Sequence, residues 1–240
     1  MLSKNQVKEV TRLQQKKYRQ QSGLFIAEGV KTIKELLKSQ WQLEQLYTLE
    51  SFGLASNLET LITAPELKKI SALKTPNQAV AVFRMPTPQP ITDTGITVVL
   101  DSVRDPGNLG TIIRLCDWFG ISYLVCSPET VDCYNPKVIQ ATMGSITRVS
   151  VSYTALDTFL ENTTRPIYGA FMDGNSVYAE TLMEDAVLVM GNEANGISQA
   201  VGSYINNRIS IPRFGPIQAT ESLNVATATA ILLSEFKRLT

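Results

Sequence analysis

Histidine is absent from this chain of 240 residues. The absence excludes Ser-His-Asp and Cys-His catalytic arrangements and histidine-containing zinc sites, because each of these needs an imidazole ring. It also removes the side chain that most often acts as a general base near neutral pH. Any catalysis therefore depends on carboxylates, hydroxyl groups, Arg, Lys and the positioning of a reactive substrate.

Cysteine, net charge and long apolar runs are also scarce. The three cysteines, Cys116, Cys126 and Cys133, lack metal-ligand spacing, and their odd number fits a reducing compartment. The formal net charge is zero, so affinity for nucleic acid has to come from local patches. We find no segment typical of a signal peptide or long enough to span a bilayer, which predicts a cytoplasmic protein without a membrane partner.

The N-terminal part predicts a small α/β unit that opens with a basic helix. Residues 4–20 carry a basic side chain at every fourth position, which predicts one continuous helix with a basic face. That face is either solvated or in contact with phosphates, with an aromatic side chain available to stack. The residues that would make this contact are Lys16, Lys17, Tyr18 and Arg19.

A proline-rich segment, MPTPQP at residues 85–90, separates this unit from the rest of the chain. Three prolines in six residues favour an extended linker. We therefore expect a first domain over residues 1–85, a linker over 86–94 and a second domain over 95–240. In the second domain, strand and helix patterns alternate, which predicts a parallel sheet covered on both faces. Its last helix is apolar on nearly all sides, and is therefore buried within the domain or against a partner subunit.

Three polar turns follow predicted strands of the second domain. They are DPGNLGTIIR after the strand that ends at Asp101, GNEANG after residues 186–190, and the segment from IPRF to ESLN before the last helix. Each turn alone could be ordinary, with Asn108 and Ser222 as helix caps and Glu193 solvated. Strand ends that break into such turns are, however, where an α/β sheet binds its ligand. We interpret the three turns as one site.

The spacing within these turns resembles a known set of motifs. The N-x(5)-R turn, the G-x-E-x-x-G turn and the I-P…S-L-N helix start resemble the three motifs of the SpoU/TrmH family of RNA 2′-O-ribose methyltransferases. The resemblance covers the second domain from about residue 96. More weakly, KKYR followed by LFIAEGVKTIKELL is similar to the RNA substrate-binding domain often attached N-terminally in this family.

The resemblance implies both a fold and an activity. The fold is a parallel-sheet α/β domain with a deep trefoil knot, formed by threading the C-terminal segment through a loop, beside a small α/β substrate-binding domain. The activity is methyl transfer from S-adenosylmethionine to a ribose 2′-hydroxyl of structured RNA, by a homodimer that needs no metal. We prefer rRNA to tRNA as the substrate. The alternatives are a non-catalytic RNA-binding protein and a nucleotide-dependent enzyme, although the phosphate-loop fingerprint of the latter is missing.

Site residues carry over from the resemblance by position. The catalytic set is Arg114, Asn108, Glu193, Ser222 and Asn224. The cofactor-binding set is Gly191, Asn192, Gly196, Ile211 and Leu223. Because an Arg in a protein stays protonated, Arg114 is expected to hold an RNA phosphate, and that phosphate or Glu193 accepts the hydroxyl proton. The segment PIQATE at residues 216–221 is longer than usual in the family, so the placement of residues 218–221 is not carried over.

Overall fold

The computed structural model describes residues 1–87, 89–92, 94–215 and 222–238. These residues form two compact units, one within 1–87 and 132–147, the other within 88–131 and 148–240. Residues 132–147 thus pack with the first unit although they lie between two stretches of the second. The division into 1–85, 86–94 and 95–240 remains a prediction.

The elements are as follows in chain order. The helices are α1 Lys4–Arg12, α2 Lys16–Ser22, α3 Val30–Lys38, α4 Ala64–Ile70, α5 Pro106–Trp118, α6 Pro136–Thr142, α7 Leu156–Glu161, α8 Gln199–Gly202 and α9 Val225–Phe236. The strands are β1 Leu24–Glu28, β2 Leu43–Thr48, β3 Glu59–Leu61, β4 Ala79–Arg84, β5 Ile96–Leu100, β6 Tyr123–Cys126, β7 Ser150–Tyr153, β8 Ile167–Ser176, β9 Ala186–Met190 and β10 Asn207–Ser210. Short 3₁₀ helices cover Ser145–Thr147 and Val177–Ala179.

The first unit is a four-stranded sheet in the order β1-β4-β2-β3, with β4 antiparallel to both neighbours and β3 parallel to β2. Apolar side chains of its strands pack against apolar side chains of the flanking helices, and both are buried. Phe25 of β1 is central, since its ring lies against Phe83 at 5.9 Å and against Tyr134 at 5.0 Å. Tyr134 precedes α6, so this aromatic cluster ties residues 132–147 to the first sheet.

The single helix expected over residues 4–20 is wrong. A capping box between Ser3 and Gln6 starts α1, which ends at Arg12, and α2 begins only at Lys16. Between them the chain turns, because Leu13 is buried in the core and its carbonyl accepts a hydrogen bond from Arg19 Nη1 at 2.9 Å. The basic face is therefore divided between two short helices.

The second unit contains a six-stranded sheet in the order β10-β8-β9-β5-β6-β7, with every neighbouring pair parallel. The parallel sheet predicted from alternating strands and helices is confirmed. All residues of β5 and β9 are buried, as expected for strands covered on both faces. The connection after β5 leads to β6 on one side, whereas that after β9 leads to β10 on the other, so the order reverses between these two strands. Open α/β sheets bind ligands at such a point, outside the carboxyl ends of the strands.

The last helix, α9, is buried within its own unit. It packs on α5, and its buried side chains include Leu232, Leu233 and Phe236, the last in edge-on contact with Tyr168 at 5.1 Å. Burial against a partner subunit remains a prediction, as does the trefoil knot, since the segment PIQATE falls outside the described residues. Among the described residues, no helix is long and apolar enough to cross a membrane.

Candidate active site

The carboxyl ends of β9 and β10 and the start of α9 border one cavity of about 740 Å³. The residues expected to bind the cofactor all line it: Gly191, Asn192, Gly196, Ile211 and Leu223. Glu193 and Ser222 line it as well, whereas Asn108, Arg114 and Asn224 do not. Apolar side chains such as Leu232 form much of the remaining wall. The lining is thus mainly apolar with a few polar groups at fixed positions, which is typical of small-molecule sites.

The turn from Gly191 to Gly196 is held by bonds within itself. The backbone groups of Asn192 and Gly196 pair in both directions at 2.9 Å, and Asn192 Oδ1 accepts from the N–H groups of Ala194 and Asn195. Glycine is required at position 191, because a Cβ there would lie 2.2 Å from the backbone carbon of Gly196. The turn therefore has little conformational freedom, and its shape fixes the backbone position of Glu193.

Two residues at the end of β5 anchor this turn, and the motif comparison missed both. Buried Asp101 accepts a hydrogen bond from the backbone N–H of Ser198 at 2.7 Å. The carbonyl of Ser102 accepts from Asn192 Nδ2 at 2.6 Å, and Ser102 has a φ of 61°, which a residue with a side chain rarely adopts. Strain of this kind persists only where surrounding contacts enforce it. The sequence signal for Asp101 was slight, namely a carboxylate directly after an apolar strand.

Three residues of the expected catalytic set are joined by hydrogen bonds. Asn224 Nδ2 donates to Asn108 Oδ1 at 2.8 Å, and Asn108 Nδ2 donates to Glu193 Oε1 at 2.9 Å. The expectation that Asn108 caps α5 is wrong, because the cap is Asp105, whose carboxylate accepts from the backbone N–H of Asn108. The Asn108 side chain is consequently available to link two loops that are distant in sequence.

The two remaining residues of that set, Arg114 and Ser222, are exposed. Arg114 lies on α5 six residues after Asn108, on the surface of the helix that carries the first motif. Ser222 lines the cavity two residues before the N-cap of α9, which is Asn224 rather than Ser222. Neither side chain is thus committed to a helix cap.

The expected RNA-binding residues separate into two environments on α2. Lys16 and Lys17 are exposed, and Tyr18 is half-buried with the Arg12 guanidinium 5.2 Å from its ring centroid. Arg19 is buried, and its guanidinium donates to Asp132 and to the carbonyl of Leu13. The expectation that Arg19 contacts RNA is therefore corrected, because its donors already hold residues 132–147 to the first unit.

None of the three cysteines lines this cavity. Cys116, Cys126 and Cys133 are buried free cysteines, and burial raises the pKa of the Cys116 thiol to about 12. Over the part of the chain that the structure describes, no group of three or more acidic or cysteine side chains could hold a metal ion. Within the described residues, the polar side chains that line the cavity are two amides, one carboxylate, one guanidinium and two hydroxyls, from Asn192, Asn195, Glu193, Arg213, Ser210 and Ser222. This arrangement defines an α/β protein with a small-molecule site at the carboxyl ends of a parallel sheet.

The chain belongs to the SpoU rRNA methylase family, whose model matches residues 95–234. A second model, the MRM3-like substrate binding domain, matches residues 4–81. The chain is 30% identical over 241 residues to the 23S rRNA (guanosine(2553)-2′-O)-methyltransferase RlmP of Bacillus subtilis, covering 96% of each chain. The family resemblance drawn from the three motifs is confirmed.

Solved structures agree with this assignment. A TrmH-family structure from Porphyromonas gingivalis superposes with a TM-score of 0.90 at 38% identity, covering all of both chains. An rRNA methyltransferase from Sinorhizobium meliloti with bound AdoMet gives a TM-score of 0.89 at 29% identity, covering 100% of this chain and 96% of that one. The predicted α/β fold, with a parallel-sheet unit and a small N-terminal unit, is thus confirmed.

Proposed function

We propose that the chain transfers a methyl group from S-adenosylmethionine to a ribose 2′-hydroxyl of rRNA. The observation that carries the proposal is that the second and third turns line one cavity and that the first turn is hydrogen-bonded to both. A chain of hydrogen bonds joins the first and third turns to the carboxylate of the second. RlmP of Bacillus subtilis, which the chain resembles over almost its full length, is a 23S rRNA methyltransferase of this kind.

The cavity residues fit S-adenosylmethionine. The volume of the cavity lies in the usual range for cofactor sites, roughly 300–1,000 Å³. Ile211, Leu223 and Leu232 offer apolar surface for an adenine ring, and the turn at 191–196 offers backbone groups for polar parts. Glu193 adds one carboxylate at the wall, which suits a ligand that carries positive charge. When bound, the cofactor supplies a methyl group already activated by its sulfonium.

Because the methyl group is activated, the protein has mainly to align the acceptor and to accept its proton. The ribose oxygen bonds to the methyl carbon as the carbon–sulfur bond breaks, and that electron pair stays on sulfur. We assign to Arg114 the binding of an adjacent RNA phosphate, since a guanidinium binds phosphate through two parallel hydrogen bonds and stays protonated. The hydroxyl proton then passes to that phosphate or to Glu193.

The first unit is proposed to bind the RNA. Lys16 and Lys17 are exposed there, and the family model for its sequence describes a substrate-binding domain. We further propose a homodimer in the cytoplasm. The apolar character of α9 supports an interface, and the odd number of cysteines, all free, supports the compartment.

An assay of product identity tests the proposal. The protein is incubated with labelled S-adenosylmethionine and size-fractionated RNA, and the nucleosides are analysed by mass spectrometry. Label in a 2′-O-methylnucleoside of the rRNA fraction is expected. Label in tRNA would overturn the substrate class, label on a base would overturn the ribose assignment, and absence of label with no cofactor binding would favour a non-catalytic RNA-binding protein.

Substitution of Arg114 tests the role given to it. Arg114→Lys keeps the charge but cannot form two parallel hydrogen bonds to phosphate, so kcat is expected to fall about 100-fold. Cofactor affinity, measured by calorimetry, is expected to stay at the wild-type value, because Arg114 does not line the cavity. Near-full turnover of the Lys variant would show that the bidentate geometry is not needed.

A further inference from the structure

The amide of Asn224 has its orientation imposed by helix α9. Its Oδ1 accepts hydrogen bonds from the backbone N–H groups of Ala226 at 3.0 Å and Thr227 at 3.2 Å. A backbone N–H can only donate, so the oxygen of Asn224 has to face the helix. The amide nitrogen therefore faces away from it, where it donates to Asn108 Oδ1.

The other end of the chain of hydrogen bonds imposes the same orientation on Asn108. Glu193 is a carboxylate, which when ionised can only accept. Asn108 must therefore present Nδ2 to Glu193 and Oδ1 to Asn224, which agrees with what the α9 cap requires. Two independent constraints thus fix a single direction of donation, from Asn224 through Asn108 to Glu193.

The second oxygen of Glu193 is less engaged. Among the described residues, its hydrogen-bond donor is Asn192 Nδ2 at 3.5 Å, at the outer limit of a hydrogen bond. That nitrogen also makes a much shorter bond, at 2.6 Å, to the carbonyl of Ser102. Oε2 consequently keeps capacity to accept from a ligand hydroxyl, while Oε1 is held by Asn108.

We propose that Asn224 and Asn108 are positioning residues that hold the Glu193 carboxylate at the cavity as the acceptor of the ribose 2′-hydroxyl proton. The inference rests on the proposed methyl transfer and assigns the proton to Glu193 rather than to an RNA phosphate. It gives both amides a role that does not require contact with RNA or cofactor. It also makes the direction of donation, and not only the presence of a polar side chain, the feature on which turnover depends.

Asn224→Asp removes the hydrogen bond that Asn224 donates to Asn108 but keeps the cap of α9. Asp caps helices about as well as Asn, so α9 keeps its two accepted hydrogen bonds. The second Asp oxygen cannot donate, so Asn108 faces an acceptor at each side and cannot satisfy both. We expect kcat to fall about 100-fold, as for displacement of a reacting group by roughly 1 Å. Cofactor affinity by calorimetry and the Tm are expected to stay at wild-type values.

A matched control is the same substitution at another helix. Asn135 caps α6 through an oxygen that accepts from the backbone N–H of Lys137 at 2.9 Å. Asn135→Asp exchanges the same groups outside the site, and we expect wild-type kcat, cofactor affinity and Tm. An equal loss of kcat in both variants would show that the added negative charge alone causes the loss, and would overturn the proposal.

A double variant reverses the direction of donation. In Asn224→Asp with Glu193→Gln, the Gln amide can donate to Asn108 Oδ1, and Asn108 can donate to Asp. We expect a crystal structure of this variant to show residue 193 returned to its wild-type position, with turnover still lost because no carboxylate is present. Recovery of turnover would overturn the assignment of the proton to Glu193.

The outcomes distinguish this inference from the proposed function. Wild-type turnover of Asn224→Asp, or a loss of cofactor affinity in step with kcat, would overturn the inference and leave methyl transfer intact. If the wild-type protein makes no 2′-O-methylnucleoside, the proposed function fails by itself. Crystal structures of the variants then still test the direction of hydrogen-bond donation. Asn224→Asp should displace the Glu193 side chain, and Asn135→Asp should not.

Discussion

Asp101 and Ser198 are 97 positions apart in sequence, yet the carboxylate of one accepts the backbone N–H of the other at 2.7 Å. This bond fastens the end of β5 to the far side of the turn that carries Glu193. A buried carboxylate that accepts a backbone N–H forms one of the stronger hydrogen bonds in a protein, worth about 1.5–3 kcal/mol. The loop that lines the cavity is therefore anchored by a residue outside its own motif.

Asp101→Asn is expected to weaken cofactor binding about tenfold, because the bond loses its charge and the turn is held less firmly. Calorimetry measures the affinity, and thermal unfolding measures the accompanying loss of stability. Asp185→Asn is the control, since that carboxylate also accepts a backbone N–H, from Gly95 at the opposite end of the sheet. The control should lose stability but keep its affinity, and a similar loss of affinity in both would argue against a local anchor.

Gly191→Ala tests the close approach of two backbone segments in the cavity wall. The added Cβ would lie 2.2 Å from the backbone of Gly196, so the turn must shift, at a cost of about 1–3 kcal/mol. Cofactor affinity should fall by at least tenfold. Gly202→Ala on α8 meets no atom within 4 Å and should bind the cofactor as the wild type does. Wild-type affinity in Gly191→Ala would mean that the turn adapts freely.

Paired substitution of Lys16 and Lys17 by Ala tests the RNA contact proposed for the first unit. If each lysine neutralises one phosphate, affinity for rRNA falls and the dependence of log affinity on log salt becomes shallower by about two units. Filter binding over a range of salt measures both quantities. The same double change at exposed Lys68 and Lys69 of α4 removes equal charge and should leave the salt slope almost unchanged.

Glu66 provides a pH test of the first unit. Hydrogen bonds from Thr63 and from the backbone N–H of Leu2 lower the pKa of this carboxyl to about 2, from an ordinary value of 4.5. Because the folded pKa is depressed, its stabilisation is fully present above the unfolded pKa and is lost as pH falls toward 2. Glu66→Gln should unfold more easily than wild type at neutral pH, with the difference shrinking below pH of about 4.5. A difference in denaturant midpoint that does not change with pH would contradict the assignment of this stabilisation to the ionised Glu66 carboxylate.

The parallel sheet and the three turns could be predicted because their signals are local. Apolar runs such as those of β5 and β9 predict buried strands, and polar motifs follow these runs in the sequence. The spacing of residues within the turns, such as Asn108 and Arg114, carried the resemblance to the family's motifs. Nothing distant was needed to place these features in order along the chain.

What the sequence could not predict depends on long-range pairing. Arg19 looks like a surface cation until Asp132, 113 positions away, is known to accept its hydrogen bonds. Asp101 looks like the last residue of a strand until its bond to Ser198 is seen. The cap of α5 was misplaced for a different reason, since Asp105 and Asn108 are both good caps and only Pro106 at the first helical position separates them.

The packing of residues 132–147 with the first unit bears on how the protein can be divided for experiments. A fragment cut after Thr87 would lack the segment that covers Phe25 with Tyr134 and pairs Asp132 with Arg19. The complementary fragment would carry α6 with Val138 and Ile139 stripped of the partners that bury them. Each piece would expose apolar surface and invite aggregation. Truncations and fusions of the N-terminal part should therefore keep α6 together with residues 1–87.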